Sequence, residues 1–160
     1  MTGPVRPETD RKIDELLTRF PMKGSALLPA LYLVQEEKGF VSEESMEYIA
    51  SRIGVSAAFV AGVVSFYTMF HRKPVGRHHI QVCRTLPCAL RGADDLMAHL
   101  KKRLGVAEGE RDADGACSLV SVECLGACDR APFIQINDEE HGPVDAAKMD
   151  EILKGLERRP

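Results

Sequence analysis

Two pairs of cysteines, each placed just behind a short apolar run, constrain this chain more than any other feature. Cys83 and Cys88 form C-x4-C at the end of the run HHIQVC (78–83), and Cys124 and Cys128 form C-x3-C behind SLVSVE (118–123). Both runs have the length and β-branched content of strands. Between them, residues 93–104 read as an amphipathic helix, with Leu96, Met97 and Leu100 facing inward and Lys101, Lys102 and Arg103 near its C-terminal end. A helical crossover between two strands predicts a parallel pair. Parallel strands end at the same edge of a sheet, so the two cysteine loops are expected to meet there.

Four thiolates from two loops can enclose a metal centre. A [2Fe–2S] cluster takes two on each iron. Structural zinc also takes four cysteines, though more often through C-x2-C knuckles than through wider loops. Paired disulfides need an oxidising compartment, and unrelated buried cysteines would not explain two close pairs at two strand ends. The spacing favours iron–sulfur and leaves zinc open. It is not the plant-type C-x4-C-x2-C pattern, and no thioredoxin-style C-x-x-C is present. Gly126 lets the backbone of the second loop come close, so that its N–H can point at sulfur. Pro87 and Pro132 stiffen the loops. The fifth cysteine, Cys117, lies outside both motifs and reads as a small apolar residue near a strand start, with a spare ligand as the weaker alternative.

The rest of the chain divides by hydrophobic period. In the first half Ile13, Leu16, Leu17 and Phe20 follow helical spacing. A second helix is expected from a Ser25 cap to Gly39, a third from a Ser42 cap to Gly54 and a fourth from a Ser56 cap to about Phe66. The second half adds strands at 132–137 and after a turn at 138–142, then a last helix capped by Asp145. The predicted fold class is α+β: an N-terminal helical bundle, residues 1–76, followed by a thioredoxin-like α/β domain, residues 77–160, that carries the four cysteines.

Several function classes fall away. Net charge is −3, which gives no basic footprint for nucleic acid or an anionic membrane. Residues 50–66 mimic a helix-turn-helix, but 57–66 carry no Arg, Lys, Asn or Gln to read base edges. Residues 53–70 form an uncharged stretch of 18, at the lower edge of a membrane span. Gly54, Ser56, Gly62, Ser65 and Thr68 dilute it, and a buried core helix is the better reading. Met1 to Lys12 lacks the apolar run of a secretory signal, and the expected compartment is the cytosol. His78 and His79 adjoin the first strand, yet four cysteines already complete a coordination sphere. No G-x-G-x-x-G follows a strand, so no dinucleotide site is expected, and no catalytic residue. Arg84 and Arg130 flank ligand positions. They are expected either to favour the reduced state or to stand solvated and screened.

The runs VCRTLPC (82–88) with LRG (90–92), and VECLGACDRAP (122–132) continuing as FIQIND, resemble the thioredoxin-like [2Fe–2S] ferredoxin family. Within it they are most similar to the E subunits of bacterial NADH-quinone oxidoreductase (respiratory complex I). SFYTMF (65–70) and LVQEEKGFVSEE (33–44) carry the likeness upstream, so it spans about Ile13 to Leu156. The resemblance implies that Cys83, Cys88, Cys124 and Cys128 are the ligands of one [2Fe–2S] cluster. It implies a partner subunit that binds FMN and NADH and takes the hydride, further complex I subunits beyond it, and a place at the cytoplasmic side of the inner membrane. NAD-linked hydrogenases and formate dehydrogenases use similar subunits, and a zinc-stabilised interaction module is a further alternative. One departure is Cys117, where the family more often has a larger residue.

Overall fold

The computed structural model describes residues 5–156. Residues 1–4 and 157–160, into which the expected domains extend, lie outside the described residues. The chain divides into two compact units between Pro74 and Val75, two residues before the expected join.

The first unit is helical. Helix α1 spans Pro7–Arg19, α2 Leu27–Lys38, α3 Glu43–Ile53 and α4 Ala57–Phe66. Helix α1 starts earlier than its apolar spacing indicated, because Pro7 suits a first helical turn without an amide donor. Helix α2 does not start at a Ser25 cap. A 3-10 turn over Lys23–Ala26 precedes it, and Ala26 holds the cap position. The other two caps form as expected: Ser42 accepts from the Ser45 N–H, and Ser56 from the Phe59 N–H. Ile13, Leu27, Leu31, Val34, Ile49 and Val60 make the core of this unit. The uncharged stretch 53–70 is broken. Helices α3 and α4 meet at 118°, and no single helix among the described residues is long and apolar enough to cross a membrane.

The second unit is a five-stranded sheet with helices. Strands β1 (His78–Cys83), β2 (Glu110–Arg111), β3 (Cys117–Val122), β4 (Ile134–Ile136) and β5 (Glu139–His141) lie in the order β2-β3-β1-β4-β5. Strands β1 and β3 are parallel, and the remaining pairs are antiparallel. The crossover holds α5 (Leu86–Leu90) and α6 (Ala93–Leu104), and α7 (Ala146–Leu156) closes the unit. Both α6 and α7 bury apolar residues in one core with Ile80, Leu119, Phe133 and Ile134. His99 of α6 meets Asp150 of α7 at 3.0 Å.

Three elements differ from expectation. Helix α5 and strand β2 are too short to leave a period. Strand β5 falls inside the stretch expected to be a turn. The reversal is tighter, at Asn137, whose φ of 53° is left-handed, as an Asx side chain tolerates.

Candidate iron–sulfur site

The register of the parallel pair brings the cysteines together. Cys83, the last residue of β1, pairs with Val122, the last of β3, and Cys124 follows two residues on. Cys88 lies on α5, and Cys128 opens a short 3-10 turn, Cys128–Arg130. The thiols occur as two pairs. Cys88 donates to Cys83, and Cys128 donates to Cys124. Cys128 is also within electrostatic reach of Cys83 and Cys88. Cys83 and Cys88 are each 2% exposed, whereas Cys124 and Cys128 are exposed to solvent.

Hydrogen-bond donors aim at sulfur. The Thr85 hydroxyl lies 3.2 Å from Cys83 Sγ, and the N–H groups of Leu125 and Thr85 also point there. The Gly126 N–H donates to Cys124 Sγ at 3.3 Å. Gly126 does so at φ 79°, a conformation that side chains with Cβ rarely adopt. Phe133 N–H serves Cys88, and Phe133 C=O accepts from Cys83 N–H at 3.1 Å. Burial pushes the Cys83 thiol up. The Thr85 hydroxyl, the Leu125 and Thr85 amides and the Cys88 thiol outweigh it and hold Cys83 below the ordinary cysteine range. Burial and the donation to Cys83 push Cys88 up. Cys128, though exposed, is also raised, by the partial desolvation of its thiol first and then by the Cys124 charge.

The other sequence candidates lie elsewhere or are neutralised. Arg84 Nε meets Glu123 Oε1 at 2.9 Å, and Arg130 meets Glu140 at 3.1 Å while its guanidinium stacks over Phe133. Each arginine therefore brings its own counter-charge in a solvent-exposed ion pair. His79 sits at the opposite end of β1 from Cys83, about 13 Å away at 3.3 Å per residue, and its Nδ1 meets Ser118 at 2.7 Å. Cys117 is buried at the start of β3, the far end of that strand. Thr85 and the Leu125 and Phe133 amides were not singled out from the sequence. A threonine two residues after a ligand was the one signal that pointed to them.

The model for the thioredoxin-like [2Fe–2S] ferredoxin family matches residues 13–157. The chain belongs to that family. Among curated relatives, it is 41% identical to the E 2 subunit of NADH-quinone oxidoreductase from Rhizobium meliloti, covering 91% of this chain and 86% of the relative. It is also 41% identical to NADH-quinone oxidoreductase subunit 2 of Thermus thermophilus, covering 90% and 81%. Among solved structures, an NAD+-reducing [NiFe]-hydrogenase chain superposes with a TM-score of 0.71 at 23% identity. That match covers 82% of this ferredoxin but only 23% of the hydrogenase chain, and it is a likeness of fold.

The site suits the group that gives the family its name. Four soft thiolates are the donor set of a [2Fe–2S] centre, and each of the two pairs would serve one iron.

Proposed function

We propose that Cys83, Cys88, Cys124 and Cys128 ligate one [2Fe–2S] cluster, and that the chain is the electron-transfer subunit of an NADH-quinone oxidoreductase. The observation that carries the proposal is the pairing of two cysteine loops at one sheet edge, with amide and hydroxyl donors aimed at sulfur. The end-to-end similarity to NADH-quinone oxidoreductase subunits supports the choice of complex.

When bound, the cluster takes up and releases one electron at a time. The protein's part is to hold it. Cys83 and Cys88 fix one side from within the packed sheet edge, and Cys124 and Cys128 close the other from the surface loop. The amides of Leu125, Gly126 and Phe133 place partial positive charge beside sulfurs that grow more negative on reduction, without reorganising. The exposed side at Cys124 and Cys128 is where an electron would enter or leave. The partner we propose is the subunit that binds FMN and NADH and performs the hydride transfer, with further subunits of the complex beyond it. Assembly with them would hold the chain at the cytoplasmic face of the inner membrane.

Anaerobic purification with iron and acid-labile sulfide analysis, followed by EPR of the dithionite-reduced protein, tests the cluster. Zinc without sulfide would overturn it. Affinity purification of the native complex tests the partner. Recovery with a hydrogenase or formate dehydrogenase and no quinone-reducing subunits would reassign the machine but not the site.

A further inference from the structure

Thr85 occupies the cap position of α5, with an extended backbone at φ −71° and ψ 163°. A threonine there ordinarily turns its hydroxyl forward to accept an amide of the first helical turn. Thr85 makes no such bond. Its Oγ1 instead lies 3.2 Å from Sγ of Cys83, a cysteine that is 2% exposed. Neutral threonine has one proton to give, and a ligating thiolate can only accept. Helix α5 therefore forgoes side-chain capping, while the hydroxyl is directed at the sulfur of a ligand that water scarcely reaches.

The geometry points to Thr85 as a positioning residue that sets the reduction potential of the site, by donating its hydroxyl proton to Cys83 Sγ more strongly in the reduced state than in the oxidised one. The inference rests on the four-cysteine cluster proposed above. On reduction the site gains one electron, supplied by the partner in the complex or by dithionite in a titration. No covalent bond forms or breaks, and the proton stays on Thr85 Oγ1. The added negative charge spreads onto the ligand sulfurs, and a hydroxyl dipole beside the buried Cys83 sulfur counts for more than one in water. Unlike the Arg84 and Arg130 guanidiniums, the Thr85 hydroxyl brings no counter-charge that cancels its effect.

The test compares wild-type full-length protein with Thr85→Val and Thr85→Ser. Thr85→Val keeps the branched shape and removes the donor, and Thr85→Ser keeps the donor. Iron and sulfide analysis comes first, then a dithionite titration followed by EPR. At the wild-type midpoint the ratio of reduced to oxidised protein should fall roughly tenfold in Thr85→Val, the scale of one hydrogen bond to a charged group. That is a shift of about 59 mV to lower potential for one electron. Thr85→Ser should stay near wild type. Thr85→Val with a full cluster and an unchanged midpoint would overturn the proposal, as would an equal fall in Thr85→Ser. If Thr85→Val does not load, Thr85→Ala takes its place. Failure of both to load overturns the proposal too, because Thr85 would then serve assembly rather than potential. Wild-type protein lacking sulfide would instead bring down the cluster reading on which this one stands.

Discussion

The two cysteine loops do the same job with different materials. Cys83 and Cys88 are both buried, one at the end of a central strand and one on a short helix. Their surroundings are packed by Phe133, Ala93 and the sheet core. Cys124 and Cys128 are exposed on a segment held by a 3-10 turn and a few loop bonds. The first loop is therefore part of the folded scaffold whether or not a cluster is present. The second is exposed and less packed, so a bound cluster would add more to its definition. The amide of Leu125, in the second loop, reaches Cys83 in the first, and is the thread between them.

The largest expected effect is on the cluster itself. Cys88→Ser and Cys124→Ser should both lose most bound iron and sulfide, while Cys117→Ser should keep them, as measured by metal and sulfide analysis. The apo proteins should then part company. Serine at buried position 88 places a hydroxyl where a thiol had packed, at a cost of about 1–3 kcal/mol. At exposed position 124 the cost should be within about 0.5 kcal/mol. Denaturant unfolding of the apo forms measures both, and equal costs would break the contrast between the loops.

Phe133→Ala comes next. Its ring is 1% exposed, and its backbone bonds the Cys83 amide and serves Cys88. Removing the ring should cost about 3–5 kcal/mol of apo stability, and it acts on the anchored loop. Gly142→Ala is expected to cost about 1–3 kcal/mol, because a Cβ there would stand 2.5 Å from Arg130 O and from Phe133 Cδ2 and something must shift. Both should show in thermal unfolding of the apo protein. Gly126→Ala should behave differently. Nothing lies within 4 Å of a Cβ at that site, so its cost is the left-handed φ alone, about 1–2 kcal/mol. If it costs the apo protein less than that while the cluster is lost faster to a chelator, the second loop takes its shape from the cluster.

The smallest effect concerns the arginines. Arg84→Gln and Arg130→Gln each break a solvent-exposed ion pair, which contributes little to stability. Neither should move the midpoint potential as far as Thr85→Val does. A shift of equal size in a redox titration would restore the charge reading at the expense of the hydroxyl.

Much of this was legible along the chain. Caps at Ser42 and Ser56, the strand at 78–83 and the helix at 93–104 announce themselves through local chemistry and period. The grouping of four cysteines followed from spacing and a crossover long enough to make the strands parallel. What escaped was short or shared. Helix α5 spans Leu86–Leu90, too few residues for a period, yet it carries Cys88. Strand β5 borrowed polar residues, Glu139 to His141, that look like a turn because only a partner strand makes them a strand. Arg84 and Arg130 looked like free charges because Glu123 and Glu140, distant in sequence, become neighbours only in the fold.

By itself, the sequence determined the α+β class and the sheet edge at which the two cysteine pairs gather, since these depend on residue type and period. Only the tertiary structure decided which pair is buried, which charges cancel, and that the Thr85 hydroxyl faces sulfur instead of its own helix. Those depend on distances across the chain, and hydrogen bonds and ion pairs act within about 3–4 Å. The four cysteines were in view from the start, and what sets their environment came from residues the spacing does not connect.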